Sequence, residues 1–244
     1  MDVMRILLTN DDGIHSEGLR VLSTWAKTLG NITIAAPERE QSGKSQSIDI
    51  HNPFEIRKID YDGADAAYSV SSTPADCVRF AFDRLGEFDL VLSGVNRGVN
   101  VGGDIGYSGT CGAVFESYFY NTPSVAFSVF PRTFRSFEEN AERLWAFFLS
   151  HGLLEKNLIW NVNIPDEVRG ILITQQGGPY YRDWFRSDDG VVFHEEGHSV
   201  YTPSPSSLQY DTDAVLRDNM ISITPLEGRR SERNVFEALK DIAE

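Results

Sequence analysis

Five short apolar runs alternate with helical patterns between residues 4 and 162, and this alternation leaves few folds open: Met4–Leu8 (MRILL), Asn31–Ala35 (NITIA), Phe88–Leu92 (FDLVL), Ser124–Val129 and Leu158–Val162. Runs of this kind suit strands buried on both faces. After the first, Glu17–Leu29 sets Leu19, Leu22, Trp25, Ala26 and Leu29 at helical spacing, and Gly30 follows, a common residue just past a helix end. Pro74 opens a second helix through Ala75, Cys77, Val78, Phe80, Ala81 and Leu85, with proline suited to the first turn. Further helices are expected over Thr110–Asn121 and around Phe137–Leu149. Phe54–Ile59 alternates as a strand, with Ala67–Val70 pairing near it. The pattern predicts right-handed βαβ units and an α/β fold of three layers, α/β/α, around a mostly parallel sheet.

The character changes after Ile164. Gly177–Pro205 is rich in Gly, Pro, Ser, Tyr and charge, with hairpin-like pieces such as Gly190–His194. A structureless loop of that length is unusual in a compact domain, so a protruding β-rich extension is expected. Met220–Thr224 reads as a late strand and Ser231–Ile242 as a terminal helix capped by Ser231. The organisation is therefore a Rossmann-like core over 1–165 and a C-terminal extension over 166–244 that returns to it, one structural domain with an extension.

The 22 basic and 36 acidic residues leave a net charge of −14. So acidic a surface repels polyanions and argues against binding duplex DNA or long RNA. A small phosphorylated substrate stays open, because a bound cation reverses the local field. Cys77 and Cys111 sit in apolar stretches with no CxxC pair, which suits inert buried thiols in a reducing compartment. No run approaches the roughly 20 apolar residues of a membrane span. The N-terminus carries Asp2 and lacks a basic region followed by a long apolar run, so a cytoplasmic protein without a secretory signal is expected.

Ligands of parallel α/β sheets bind outside the carboxyl ends of the strands. After the first strand comes Thr9-Asn10-Asp11-Asp12-Gly13. Two adjacent carboxylates there are costly unless neutralised, and a hard cation with oxygen ligands, Mg²⁺ or Mn²⁺, would do so. The plain alternative is an exposed Asp-Gly turn. Asp188-Asp189-Gly190 repeats the letters with no buried strand before it, and reads as only a turn. After the second strand, Pro37–Ser45 offers the Ser42 hydroxyl, a glycine-flanked backbone and the Lys44 charge. After Leu92, Ser93–Thr110 is dense in glycine and runs into a helix whose N-terminus favours phosphate. Thr110 reads equally well as an ordinary helix cap.

Five segments, Thr9–Ile14 (TNDDGI), Ala36–Gly43 (APEREQSG), Thr73–Val78 (TPADCV), Ser93–Asn100 (SGVNRGVN) and Tyr107–Thr110 (YSGT), resemble in order the motifs of the SurE (survival protein E) nucleotidases. Asn161–Pro165, Asp211–Ala214 and Ser222–Leu226 resemble that family's C-terminal landmarks, so the resemblance spans nearly the whole chain. It implies that Asp11, Asp12, Ser42 and Asn96 hold one divalent metal ion, with Asp11 and Asp12 catalytic. It also implies that Asn100, Ser108, Gly109 and Thr110 line the phosphate site. The implied activity is hydrolysis of nucleoside 5′- and 3′-monophosphates, in some members also of short polyphosphate. The implied assembly is a homodimer or homotetramer through exchanged C-terminal elements, here Gly177–Pro205 and the terminal helix. Departures are Ser45-Gln46-Ser47 in place of Gly-His-Ser, Val99 in place of Pro, Ser72 in place of Gly, and the unfamiliar segment Gln175–Trp184.

The expected mechanism needs no covalent intermediate: a metal ion polarises the phosphate and activates water, one aspartate takes its proton, and backbone donors at Gly109 and Thr110 stabilise phosphoryl charge. The rival reading is a non-catalytic module sensing nucleotide or metal. His194-Glu-Glu-Gly-His198 spells HExxH, but a zinc-peptidase motif needs a helix, and the flanking residues predict strand and turn. Asp211 and Asp213 are expected to cap and charge a helix start rather than bind metal.

Overall fold

Arg5–Thr9 (β1) is buried at every position after the first, as a strand covered on both faces must be. Its side chains alternate between two helix layers. Ile6 and Leu8 pack with Leu19, Leu22 and Trp25 of Glu17–Ala26 (α1), whereas Leu7 packs with Cys77, Val78 and Ala81 of the helix at Pro74–Leu85. This is the expected three-layer α/β/α arrangement. The structure, a computed structural model, describes residues 3–130, 133–231, 233–240 and 242.

The remaining strands are Asn31–Pro37 (β2), Ile56–Ile59 (β3), Ala66–Val70 (β4), Leu90–Arg97 (β5), Ser124–Val129 (β6), Ile159–Ile164 (β7), Gly170–Ile173 (β8), Tyr181–Arg186 (β9), His194–Ser199 (β10) and Met220–Leu226 (β11). The helices after α1 are Pro74–Leu85 (α2), Gly109–Ser117 (α3), Arg135–Ser150 (α4), Leu153–Lys156 (α5), Asp211–Leu216 (α6) and Arg233–Leu239 (α7). The main sheet runs β3-β4-β2-β1-β5-β6-β7-β11-β8. Strands β4 through β7 are mutually parallel, β3 and β11 pair antiparallel to β4 and β7, and β8 lies parallel to β11. Strands β9 and β10 form a separate antiparallel hairpin.

Beneath α1 and α4, Trp25 meets Phe127, Phe137 and Trp145 edge-on at 5.5–5.9 Å, a geometry that aromatic quadrupoles favour. No described helix is long and apolar enough to cross a membrane.

Several elements differ from expectation. The helix expected over Thr110–Asn121 ends at Ser117 and tightens into a 3-10 turn over Tyr118–Tyr120, closed by Asn121 in a left-handed conformation (φ 53°). Strand β8, only four residues long, was not anticipated in the stretch read as an extension. The terminal helix is described over Arg233–Leu239, and residues 232 and 241 of the expected span lie outside the described residues. The HExxH letters lie on β10, where residues i and i+4 are too far apart to share a metal as they would on a helix. Asp189 accepts the Val191 and Val192 N–H groups at 2.8 Å each, so the second Asp-Asp-Gly is a turn. Both cysteines are buried and free.

Candidate active site

The chain passes from β1 through α1 to β2 on one side, and later from α2 to β5 on the other, so the sheet reverses direction between β1 and β5. Such a switch point opens a crevice at the strand ends. Residues Asn10–Gly13 follow β1 there. Gly13 adopts φ +99°, a left-handed conformation that favours glycine, and this lets the chain turn sharply after the two acids. The Asn10 amide donates to Gly13 O at 3.0 Å and to Ser16 Oγ at 2.7 Å, pinning the turn to the cap of α1.

Asp11 points into the protein. Its Oδ1 accepts the Thr110 hydroxyl at 2.5 Å, and the backbone N–H groups of Gly109 and Thr110 also donate to its carboxylate. The N-terminus of α3, where N–H groups lack helical partners, is therefore directed at Asp11. Burial pushes the Asp11 carboxyl above its ordinary value, and these donors oppose the shift. Asp12 is half-buried; burial, the neighbouring Asp11 charge and Glu40 push its carboxyl up to about 6, while the Arg97 N–H donates to it. Gly109 leaves no room for a side chain, since a Cβ there would lie 2.7 Å from Asp11 Cβ.

The second loop is tied to the first by the Gln41 N–H, which donates to Asp11 O at 2.7 Å. It presents Ser42, whose hydroxyl donates to Glu40 at 2.7 Å. Asn96, at the end of β5, donates its amide N–H to Gly98 O at 2.7 Å, leaving Oδ1 as an acceptor. Asn100 is locked by four hydrogen bonds: its N–H to Asn163, its amide to Ser128, and its carbonyl from Asn161 and Asn163. Ser108 caps α3 by accepting the Cys111 N–H, so Thr110 is not the cap.

Asp11, Asp12, Ser42, Asn96, Asn100 and Ser108 line one cleft of about 490 Å³. Gly109 and Thr110, expected at phosphate, stand behind Asp11, with Thr110 wholly buried. Lys44 does not border the cleft; Arg97 is the basic residue that does, paired with Glu17 at 2.6 Å and lying over the Phe134 ring. Glu40, Asp104, Asp183 and Glu195 also line it and were not anticipated. Glu40 lies within a quoted motif and could have been found there; Asp183 and Glu195 arrive on the hairpin, which no local pattern placed at the site. Another cleft, about 340 Å³, opens at the opposite end of the sheet and holds none of the expected site residues.

Asp211 and Asp213 both fall in the first turn of α6, as expected for charges at a helix start. The Asp211 side chain reaches further. It accepts N–H groups from Gly102, Gly177 and Thr212, joining the loop after β5 to the segment before the hairpin.

The donor set at the switch point is oxygen throughout, with two adjacent carboxylates whose proton affinity is raised chiefly by burial. That chemistry fits a hard divalent cation. Among the described residues no group of three His, Cys, Asp or Glu side chains could hold a metal, so the two acids would be completed by the neutral oxygens of Asn96 and Ser42.

A profile of the family described as Survival protein SurE matches residues 6–183. The chain belongs to the SurE family. It is 33% identical to a protein named 5′-nucleotidase SurE from Clostridium botulinum (strain 657 / Type Ba4) over 98% of this chain and 99% of that one. A protein of the same name from Vibrio vulnificus (strain YJ016) is 35% identical over 92% and 89%. The crystal structure of the SurE protein from Aquifex aeolicus superposes with a TM-score of 0.81 at 33% identity, covering 97% of this chain and 98% of that one.

Proposed function

We infer that this chain is a metal-dependent nucleotidase that hydrolyses nucleoside 5′- and 3′-monophosphates to nucleoside and phosphate. One observation carries the reading: Asp11 and Asp12 stand side by side at the β1–β5 switch point with raised proton affinity, on the floor of a cleft large enough for a nucleotide. The names of its SurE relatives support hydrolysis over a sensing module, and nucleotides over short polyphosphate.

Asp11, Asp12, Ser42 and Asn96 would hold one divalent ion, Mg²⁺ or Mn²⁺, which supplies Lewis acidity toward phosphoryl oxygen and water. The chain's own groups do the rest. Asp11 is held in place by donors from α3. Asp12, which faces the cleft, would accept the proton of the attacking water. Asn100, immobilised from β6 and β7, and Ser108 orient the phosphate, with Gly109 and Thr110 acting through Asp11. As the water oxygen bonds to phosphorus the P–O bond to the nucleoside breaks, and the leaving oxygen takes a proton from solvent water.

A cytoplasmic homodimer or homotetramer accompanies this reading. Apolar side chains exposed on the hairpin tip (Val191, Val192, Phe193) and on α7 (Val235, Phe236, Leu239) offer surface for a second copy.

The test is phosphate release from a panel of nucleoside monophosphates and short polyphosphate with Mg²⁺, Mn²⁺ or EDTA. Metal-dependent release that Asp11→Asn abolishes is expected. A folded, metal-loaded protein that releases none overturns the reading.

A further inference from the structure

We propose that the cleft-facing side of the β9–β10 hairpin selects the leaving group, accepting a nucleoside and repelling a second phosphate. The inference rests on the nucleotidase reading and deepens it.

A phosphoryl group fills a small part of a cleft of about 490 Å³. Pockets of this size hold whole small molecules. Part of the remaining space borders the hairpin, through Asp183 and Glu195. Strand alternation puts Tyr181, Asp183 and Phe185 on one hairpin face, together with their cross-strand partners Ser199, Gly197 and Glu195. Asp183 and Glu195 line the cleft, so this is the face that meets a bound molecule. Phe185 stands directly opposite Glu195 on this face but does not line the cleft. Its neighbour Trp184, on the other face, packs against His198. The two hairpin carboxylates suit a nucleoside, whose hydroxyl or amino hydrogens can be donated to them.

The hairpin's position relative to the cleft is held from its base. The Tyr180 hydroxyl donates to Asp104 on the loop after β5, and Val200 N–H donates to Tyr180 O at 2.7 Å.

Charge points the same way. Cation binding offsets Asp11 and Asp12, but Glu40, Asp104, Asp183 and Glu195 remain along the cleft against Arg97, which already pairs with Glu17. An added phosphate beyond the first meets these uncompensated carboxylates, and like charges in a cleft with low-dielectric walls repel strongly. A nucleoside brings hydrogen-bond donors to the same place.

The test compares kcat/KM for adenosine 5′-monophosphate and tripolyphosphate at fixed free Mg²⁺, each divided by the same protein's value for phenyl phosphate. The proteins are wild type and Asp183→Asn/Glu195→Gln. The acid-pair variant is expected to move the nucleotide-to-polyphosphate ratio about tenfold toward polyphosphate. If the ratio stays within about twofold of wild type, well inside what such contacts contribute, the proposal is overturned while the nucleotidase reading stands. Wild type that cleaves phenyl phosphate but no nucleoside monophosphate overturns the nucleotidase reading itself.

Discussion

The Thr110 hydroxyl donates to Asp11 Oδ1 at 2.5 Å, joining residues 99 apart in sequence. Thr110 therefore positions a proposed metal ligand from behind. Thr110→Val keeps the shape and removes the donor, leaving part of a buried carboxylate unsatisfied at a cost of about 1–3 kcal/mol. Kcat should fall about tenfold to a hundredfold because the acid loses its fixed orientation. Thr110→Ser should restore most of it. Steady-state kinetics on both variants, with circular dichroism to verify folding, decides the point; a Val variant with wild-type kcat denies Thr110 this role.

Gly109 has a different job at the same carboxylate. An added methyl would sit 2.7 Å from Asp11 Cβ and 2.9 Å from its Oδ2, closer than real side chains approach. Gly109→Ala must push Asp11 out of place, and a shift on the order of 1 Å at a reacting group costs about a hundredfold in rate. Calorimetric titration with Mn²⁺ should show weakened binding alongside the lost activity. Unchanged metal affinity would mean that the helix, not the acid, has moved.

The Asp12 carboxyl, pushed up to about 6 from its ordinary 3.8, makes metal binding pH-dependent. Between those values the folded chain holds a proton that the unfolded chain has released. In the metal-free protein this group's stabilising contribution is thus full at low pH and is lost as pH rises through about 6. A cation requires the ionised form, so its affinity should fall below pH 6, approaching about tenfold per unit where one proton is displaced. Thermal melts with and without Mn²⁺ from pH 5 to 8 would show the metal-induced rise in Tm shrinking on the acid side. A rise that is constant across this range counts against Asp12 as a ligand.

The paired acids were legible because everything that places them is local: a short buried strand, an Asp-Asp-Gly turn, and the rule that ligands gather at strand ends. Ser42 is legible for the same reason, following β2, whereas Asn96 lies within β5 and is named only by the family resemblance. Thr110 was assigned to phosphate because a helix N-terminus favours anions, and the structure directs that N-terminus at an anion of the chain itself. Nothing near Thr110 in sequence says which anion that is. Strand β8 escaped notice because four residues carry too little pattern to separate strand from loop. Asp183 and Glu195 were invisible as cleft residues, since their placement depends on how the hairpin folds back.

Asp211 is wholly buried, and its carboxylate accepts N–H groups from Gly102 at 3.0 Å and from Gly177 and Thr212 at 2.7 Å each. Gly102 begins the short 3-10 turn that carries Asp104, and Gly177 lies just before the hairpin, so one side chain ties two borders of the cleft together. Burial raises the Asp211 carboxyl, and the three donors resist that shift. Asp211→Asn keeps the size but sets an NH₂ group against backbone donors, which should cost on the order of 3 kcal/mol. For a chain of this length that corresponds to a drop in Tm of about 8 °C. The loss should be felt first where the tie is made, with limited proteolysis cutting between residues 175 and 205 before the sheet unfolds. A variant that melts lower but shows no early cleavage there would make Asp211 a general stabiliser of α6 rather than the clasp between loop and hairpin.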